Sequence, residues 1–200
     1  MSHFDSLASI PPERRWHNQT MPAPVVVAIV CQETPDPQGQ TESRYLLIRR
    51  VAEPYRGRWA LVGGKWDFGE TLANAAVREV LEETGLEVRF VALRGIVSER
   101  MTPVEPDGSG AAHFLLLVCQ VDVQNGEASE QQEGVVTWFS AGEIEDLHLN
   151  QRIIPSDYVM LQRFANAPEI PLFEAEMVSA PAAGGPEPGS FRLARFEKAG

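Results

Sequence analysis

The sequence predicts an α/β fold in which a mixed β-sheet is covered by helices on both faces. Three observations carry that reading. Short apolar runs rich in Val, Ile, Leu and aromatic residues recur between residues 25 and 139, separated by polar or Pro/Gly-containing turns. One stretch near the middle, residues 71–84, instead spaces its apolar positions at the period of a helix. After the last apolar run, Ser140-Ala-Gly-Glu143 has the form of a capping box and opens a helical end.

Taken in order, residues 1–24 hold Pro11, Pro12, Pro22 and Pro24 with few periodic apolar positions, and read as an N-terminal extension. Trp16 in that arm packs it onto the domain or stacks on a base. A domain spans residues 25–166. Strands are expected at 25–31, 45–49 and 58–62, with Gly63-Gly64 breaking the third. The helix follows, and Gly85 sits where a left-handed C-cap belongs, with Leu86 after it. Further strands are expected at 87–99, 112–123 and 135–139, the last two separated by an acidic loop that looks mobile. A short helix to Leu147 and a final helix over 156–165 complete the core, the latter with Val159, Met160 and Phe164 inward. From residue 167 onward Pro, Ala and Gly dominate, which predicts a flexible tail. The basic, apolar patch Phe191-Arg-Leu-Ala-Arg-Phe196 within it could dock on the body or on a second copy.

The chemistry concentrates around the long helix. With Leu72 at the origin of a helical wheel, Leu72, Ala73, Ala76, Val77, Val80 and Leu81 share one half. Glu79, Glu82 and Glu83 share a neighbouring arc of about 100°. Ala75 lies one turn earlier in that arc and leaves room for an ion. Like charges at helical neighbour positions cost a few tenths of a kcal/mol, roughly, and the C-terminal end of a helix disfavours anions. A divalent cation reverses both penalties. Oxygen-only ligands select a hard ion, Mg²⁺ or Mn²⁺, over zinc. Read blandly, the same three carboxylates are a solvated acidic face.

These residues belong to a longer pattern. Gly64, Glu70, Arg78, Glu79, Val80, Glu82, Glu83, Gly85 and Leu86 fit G-x5-E-x7-R-E-U-x-E-E-x-G-U, with U aliphatic. The stretch resembles the signature of the Nudix hydrolases, which cut pyrophosphate linkages in nucleoside diphosphates bearing a further group X. That resemblance implies a Nudix-type α/β/α sandwich and a metal held by Glu82, Glu83, Glu79 and the backbone carbonyl of Gly63. It further implies that Arg78 orients a catalytic glutamate and that Glu70 supports the metal cluster or the loop–helix turn. The base is Glu79 or Glu82 on the helix, or a loop carboxylate, Glu133 or Glu130. Lys65, Arg58 and Arg56 flank the signature and are candidates to neutralise substrate phosphate. Asn150 is a candidate to read a purine edge, or a plain cap at a helix end. Val62 stands where many triphosphate-cleaving relatives carry proline, and Pro103 lies near the position of a proline in ADP-ribose-cleaving members.

Composition narrows the partners. A 200-residue chain suits one domain with a sizeable core, and 44% hydrophobic residues is ordinary for a globular protein. A net charge of −11 argues against polymeric nucleic acid, whose phosphates need basic surface. A small nucleotide remains compatible once metal and local cations neutralise it. Cys31 and Cys119 lie in apolar runs and read as buried thiols. The N-terminus lacks a signal-peptide pattern, and no apolar run approaches the ~18 residues of a membrane span. A cytoplasmic protein with no membrane partner is therefore expected, and the resemblance allows a homodimer. The competing class is a Nudix domain that senses a nucleotide without cutting it. Such regulators usually lose catalytic glutamates, all of which stand here.

Overall fold

The computed structural model describes residues 21–35, 38–53, 55–101, 112–131, 133–179 and 191–198. The N-terminal arm with Trp16, the segment holding Pro103 and residues 180–190 lie outside the described residues.

Six strands form one sheet: β1 (Ala23–Pro35), β2 (Thr41–Arg49), β3 (Trp59–Lys65), β4 (Glu87–Met101), β5 (Ala112–Asn125) and β6 (Val136–Ser140). Their order across the sheet is β4-β5-β1-β3-β2-β6. The sheet is mixed because β1 runs parallel to β5, while β1 meets β2 and β3 antiparallel. Both faces are covered, so the buried part of β1 is continuously apolar. Val26, Ala28 and Val30 point to the side of α1 (Leu72–Thr84), together with Leu72, Ala76 and Val80. Val27 and Ile29 point the opposite way, toward α2 (Ala141–Leu149) and α3 (Pro155–Phe164), which contribute Ile144, Leu147, Met160 and Leu161. Each fully buried Leu, Ile or Val stabilises the fold by roughly 1.5–3 kcal/mol. The result is the α/β/α sandwich expected from the sequence. Among the described residues no helix is long and apolar enough to cross a membrane.

Several local expectations are corrected. Gly63 and Gly64 do not end β3. They lie within it, facing Val27 and Val26 in the antiparallel ladder. Leu81 is 47% exposed rather than inward. The buried face of α1 is rotated toward Ala75, Glu79 and Glu83, so Leu81 falls at its solvent edge. Val159 is also exposed, and Leu161 takes the inward place beside Met160. The chain after residue 167 forms two strands, β7 (Phe173–Ser179) and β8 (Phe191–Lys198), paired antiparallel. Phe173 stacks on Phe196 at 5.4 Å between ring centroids, which supplies the cross-strand contact that local composition did not announce. The acidic loop before β6 is tied at both ends, Ser129 N–H to Thr84 O and Arg49 N–H to Val135 O.

Asp157, in the first turn of α3, is buried, and its Oδ2 accepts the Leu61 N–H of β3 at 2.7 Å. Burial pushes its carboxyl up to about 7, with Glu99 adding and the Leu61 N–H and Arg50 opposing. A folded-state value above the unfolded one means the folded protein binds the extra proton between about pH 4 and pH 7. Stability therefore falls as pH rises through that window, by at most ~4 kcal/mol from this group. Asp157→Asn keeps an oxygen for Leu61 and removes the titration. Urea unfolding at pH 5 and pH 8 should show a smaller loss of stability in the variant than in the parent. An equal loss in both would refute the assignment.

Candidate active site

The site begins where β3 passes α1. Gly63 has φ +153, a region side chains rarely adopt, and a Cβ there would strike Val26 O at 2.1 Å. At Gly64 a Cβ would lie 2.4 Å from Glu79 Oε2. The two glycines thus serve different neighbours: one lets β1 approach, and the other makes the seat on which the Glu79 carboxylate rests. The Gly63 N–H also donates to Glu83 Oε2 at 3.0 Å. Glu79 and Glu83 are 9% and 5% exposed, unusual burial for carboxylates outside a site.

The turn into α1 is built around Glu70. Its backbone carbonyl accepts the Trp66 indole N–H at 3.1 Å, and its Oε2 accepts the Asp67 N–H at 3.3 Å. Thr71 Oγ1 then caps the helix by accepting the Asn74 N–H at 3.1 Å. Arg78 joins this turn to the carboxylates. Its Nε and Nη2 donate to Glu70 Oε1 and Oε2 at 2.8 and 2.9 Å, and Nη2 also donates to Lys65 O at 3.0 Å. Nη1 donates to Glu79 Oε1 at 2.8 Å and to Glu82 Oε2 at 3.2 Å. The fork on Glu70 is the bidentate geometry that fixes a guanidinium plane. That hydrogen-bonded pairing lowers the Glu70 pKa and raises that of Arg78 further.

The carboxylates behind Arg78 carry the opposite perturbation. Burial raises the Glu79 pKa, against Arg78, with Glu82 and Glu133 adding. Burial likewise pushes Glu83 up to about 9, helped by a hydrogen bond with Glu133 and by the charge of Glu79, and opposed by the Gly63 N–H. Glu133, from the loop before β6, therefore reaches the helix carboxylates. Among the described residues no three His, Cys, Asp or Glu side chains already close on one point. Glu79 and Glu82 are turned to Arg78, and Glu83 to Gly63 and Glu133. The donors are all oxygens, crowded and like-charged on a Gly64 cradle, which is the chemistry that suits a hard divalent cation.

Of the other sequence candidates, Arg58 is set apart from this centre. Arg58 lies at the opposite end of β3, its guanidinium 5.4 Å from the Tyr55 ring centroid. By the rise of an extended strand it is about 20 Å from Gly64. Asn150 caps α2, its Nδ2 donating to Asp146 O at 2.7 Å. Lys65 stays beside the motif at the end of β3, with its carbonyl held by Arg78. Arg56 and Glu130 are exposed. The helical wheel could not find the Glu70 fork, because Glu70 precedes the helix; only its fixed place in the motif signalled it.

The model of the NUDIX domain matches residues 21–164, well over half of the chain. The chain belongs to the Nudix family. An ADP-ribose pyrophosphatase of Methanocaldococcus jannaschii is 31% identical over 121 residues, 60% of this chain and 68% of that protein. An uncharacterized Nudix hydrolase of Bacillus subtilis is 30% identical over 110 residues, 54% of this chain and 65% of its own length. The crystal structure of a Nudix hydrolase from Nitrosomonas europaea superposes with a TM-score of 0.56 at 23% identity, covering 76% of this chain and 78% of that one. That likeness concerns the fold. With its Nudix box intact, the chain is a pyrophosphohydrolase.

Gly64→Ala tests the seat. The added methyl must displace the Glu79 carboxylate, and a misplacement of that size costs on the order of 10²-fold in rate. The variant should lose hydrolytic activity to that degree while its circular dichroism stays that of the parent. Retained activity would show that Glu79 does not depend on Gly64.

Proposed function

We propose that the chain hydrolyses a pyrophosphate linkage in a nucleoside diphosphate joined to a further group X, using Mg²⁺ or Mn²⁺. Nucleotide sugars, ADP-ribose and nucleoside triphosphates are the classes considered, with ADP-ribose foremost because of the Methanocaldococcus jannaschii relative. The observation that carries the reading is the burial of Glu79 and Glu83 against the side-chain-free Gly63–Gly64 segment, with Arg78 bonded to Glu79.

The donors for the cation are Glu79, Glu82, Glu83 and the Gly63 carbonyl. When bound, it supplies charge neutralisation for the phosphates and a more acidic water. Arg78 holds Glu79 by one oxygen and ties it to the rigid Glu70 turn. That fixed aim makes Glu79 the first candidate for the base that takes the proton of the attacking water. Glu133 is the second, since it enters from a separate loop. Lys65 stands closest of the flanking cations to receive a phosphate. Arg58 lies over Tyr55 and Asn150 caps α2, so Lys65 stands ahead of them for this role.

The test is phosphate release from ADP-ribose, nucleotide sugars and nucleoside triphosphates. One class should turn over with Mg²⁺ or Mn²⁺ and stop on chelation. A positioned base contributes roughly 10²–10⁴-fold, so Glu79→Gln and Glu133→Gln should separate by which of them suffers a loss of that size. A nucleotide that raises the melting temperature while nothing on the panel is cut would establish the sensing class instead.

A further inference from the structure

The β7–β8 pair and the loop that precedes α1 border a half-open cleft of about 530 Å³. Small-molecule sites occupy roughly 300–1,000 Å³, so the space is of ligand size. Trp66 from the loop and Leu172 and Phe173 from the hairpin make its apolar wall, and Glu174, Glu176 and Arg195 its charged wall. Arg195 is drawn to Glu197, with 3.0 Å from Nη1 to Oε1, and stands 3.8 and 3.9 Å from Glu174 and Glu176. Those last two separations exceed hydrogen-bond length, which leaves both carboxylates acceptor capacity. Glu174 is also partly withdrawn from water, its side chain 22% exposed.

A second observation lies in the same loop. Phe68 is 96% exposed, between loop residues Trp66 and Gly69 that line the cleft. A phenyl ring left in water forgoes about 2 kcal/mol of burial.

We propose that this cleft binds a small organic cation, an amine or quaternary ammonium carried on an apolar or aromatic body. The body suits Trp66, Leu172 and Phe173, and the charge suits Glu174 and Glu176 with an aromatic face beside them. An anion would meet Glu174 and Glu176 against the single Arg195 guanidinium, Glu70 being already paired with Arg78. The cleft stands apart from the hydrolytic carboxylates, because Arg78 lies between them, holding Glu70 on one side and Glu79 and Glu82 on the other. The cation could be a free molecule or the group X of the nucleotide.

Isothermal calorimetry on the full chain with benzyltrimethylammonium, benzyl alcohol and phenylacetate tests the proposal without requiring turnover. Benzyltrimethylammonium should bind saturably and more tightly than the other two. Its affinity should fall by at least about tenfold in Glu174→Gln and in Phe173→Ala, and stay the same in Glu83→Gln. Equal binding of all three probes, or affinity indifferent to Glu174 and Phe173, overturns it. Where the probe binds, competition with a cleaved nucleotide assigns the cleft to group X, and binding without competition assigns it to a free cation.

Discussion

The close passage of α1 over β3 depends on two positions that have no side chain. At residue 63 the strand approaches β1 so nearly that any Cβ would collide with a backbone oxygen, and at residue 64 the same absence admits the carboxylate of Glu79. The helix is consequently not packed by apolar contact alone. Leu72, Ala76 and Val80 bury against the sheet, while Glu79 and Glu83 bury beside them against bare backbone. A buried carboxylate without partners would cost several kcal/mol or give up its charge. Here the Gly63 N–H and the Arg78 guanidinium supply the partners.

Arg78 turns this local arrangement into a mechanical link. Glu70 satisfies one side of its guanidinium and anchors it to a turn that is hydrogen-bonded within itself. The other side then aims Glu79 and Glu82. The two groups of acids are perturbed in opposite directions, Glu70 stabilised as an anion and Glu79 and Glu83 made reluctant to ionise. Such a split within one constellation is characteristic of functional sites, where environment assigns different duties to identical side chains.

Features whose causes are local were legible in the sequence. The Gly85 end of α1 and the Ser140/Glu143 capping box follow from residues within one or two turns of each other. Glu133 was reachable only through resemblance, because it comes from a loop about 50 residues beyond the helix. Continuation of β3 through Gly63–Gly64 was hidden, since glycine usually marks a break and the reason for its presence lies in β1 and α1. The exposure of Leu81 has the same origin: the inward face of α1 is set by where the acids must go. The β7–β8 pair escaped because a strand in a composition typical of tails is defined by its partner.

The parallel ladder between β1 and β5 has a consequence for how the molecule is made. It joins Ala23 to Phe114 and Cys31 to Asp122, segments roughly 90 residues apart, at the centre of the sheet. Nascent β1 can pair early with β2 and β3, its neighbours in sequence. Its other edge stays unpaired until β5 has left the ribosome. During that interval Val25–Val30 is an apolar strand with open backbone groups, a template for pairing with another chain. The order of synthesis therefore makes the arrival of β5 the event that covers the open edge of β1, and β6 then completes the sheet beside β2.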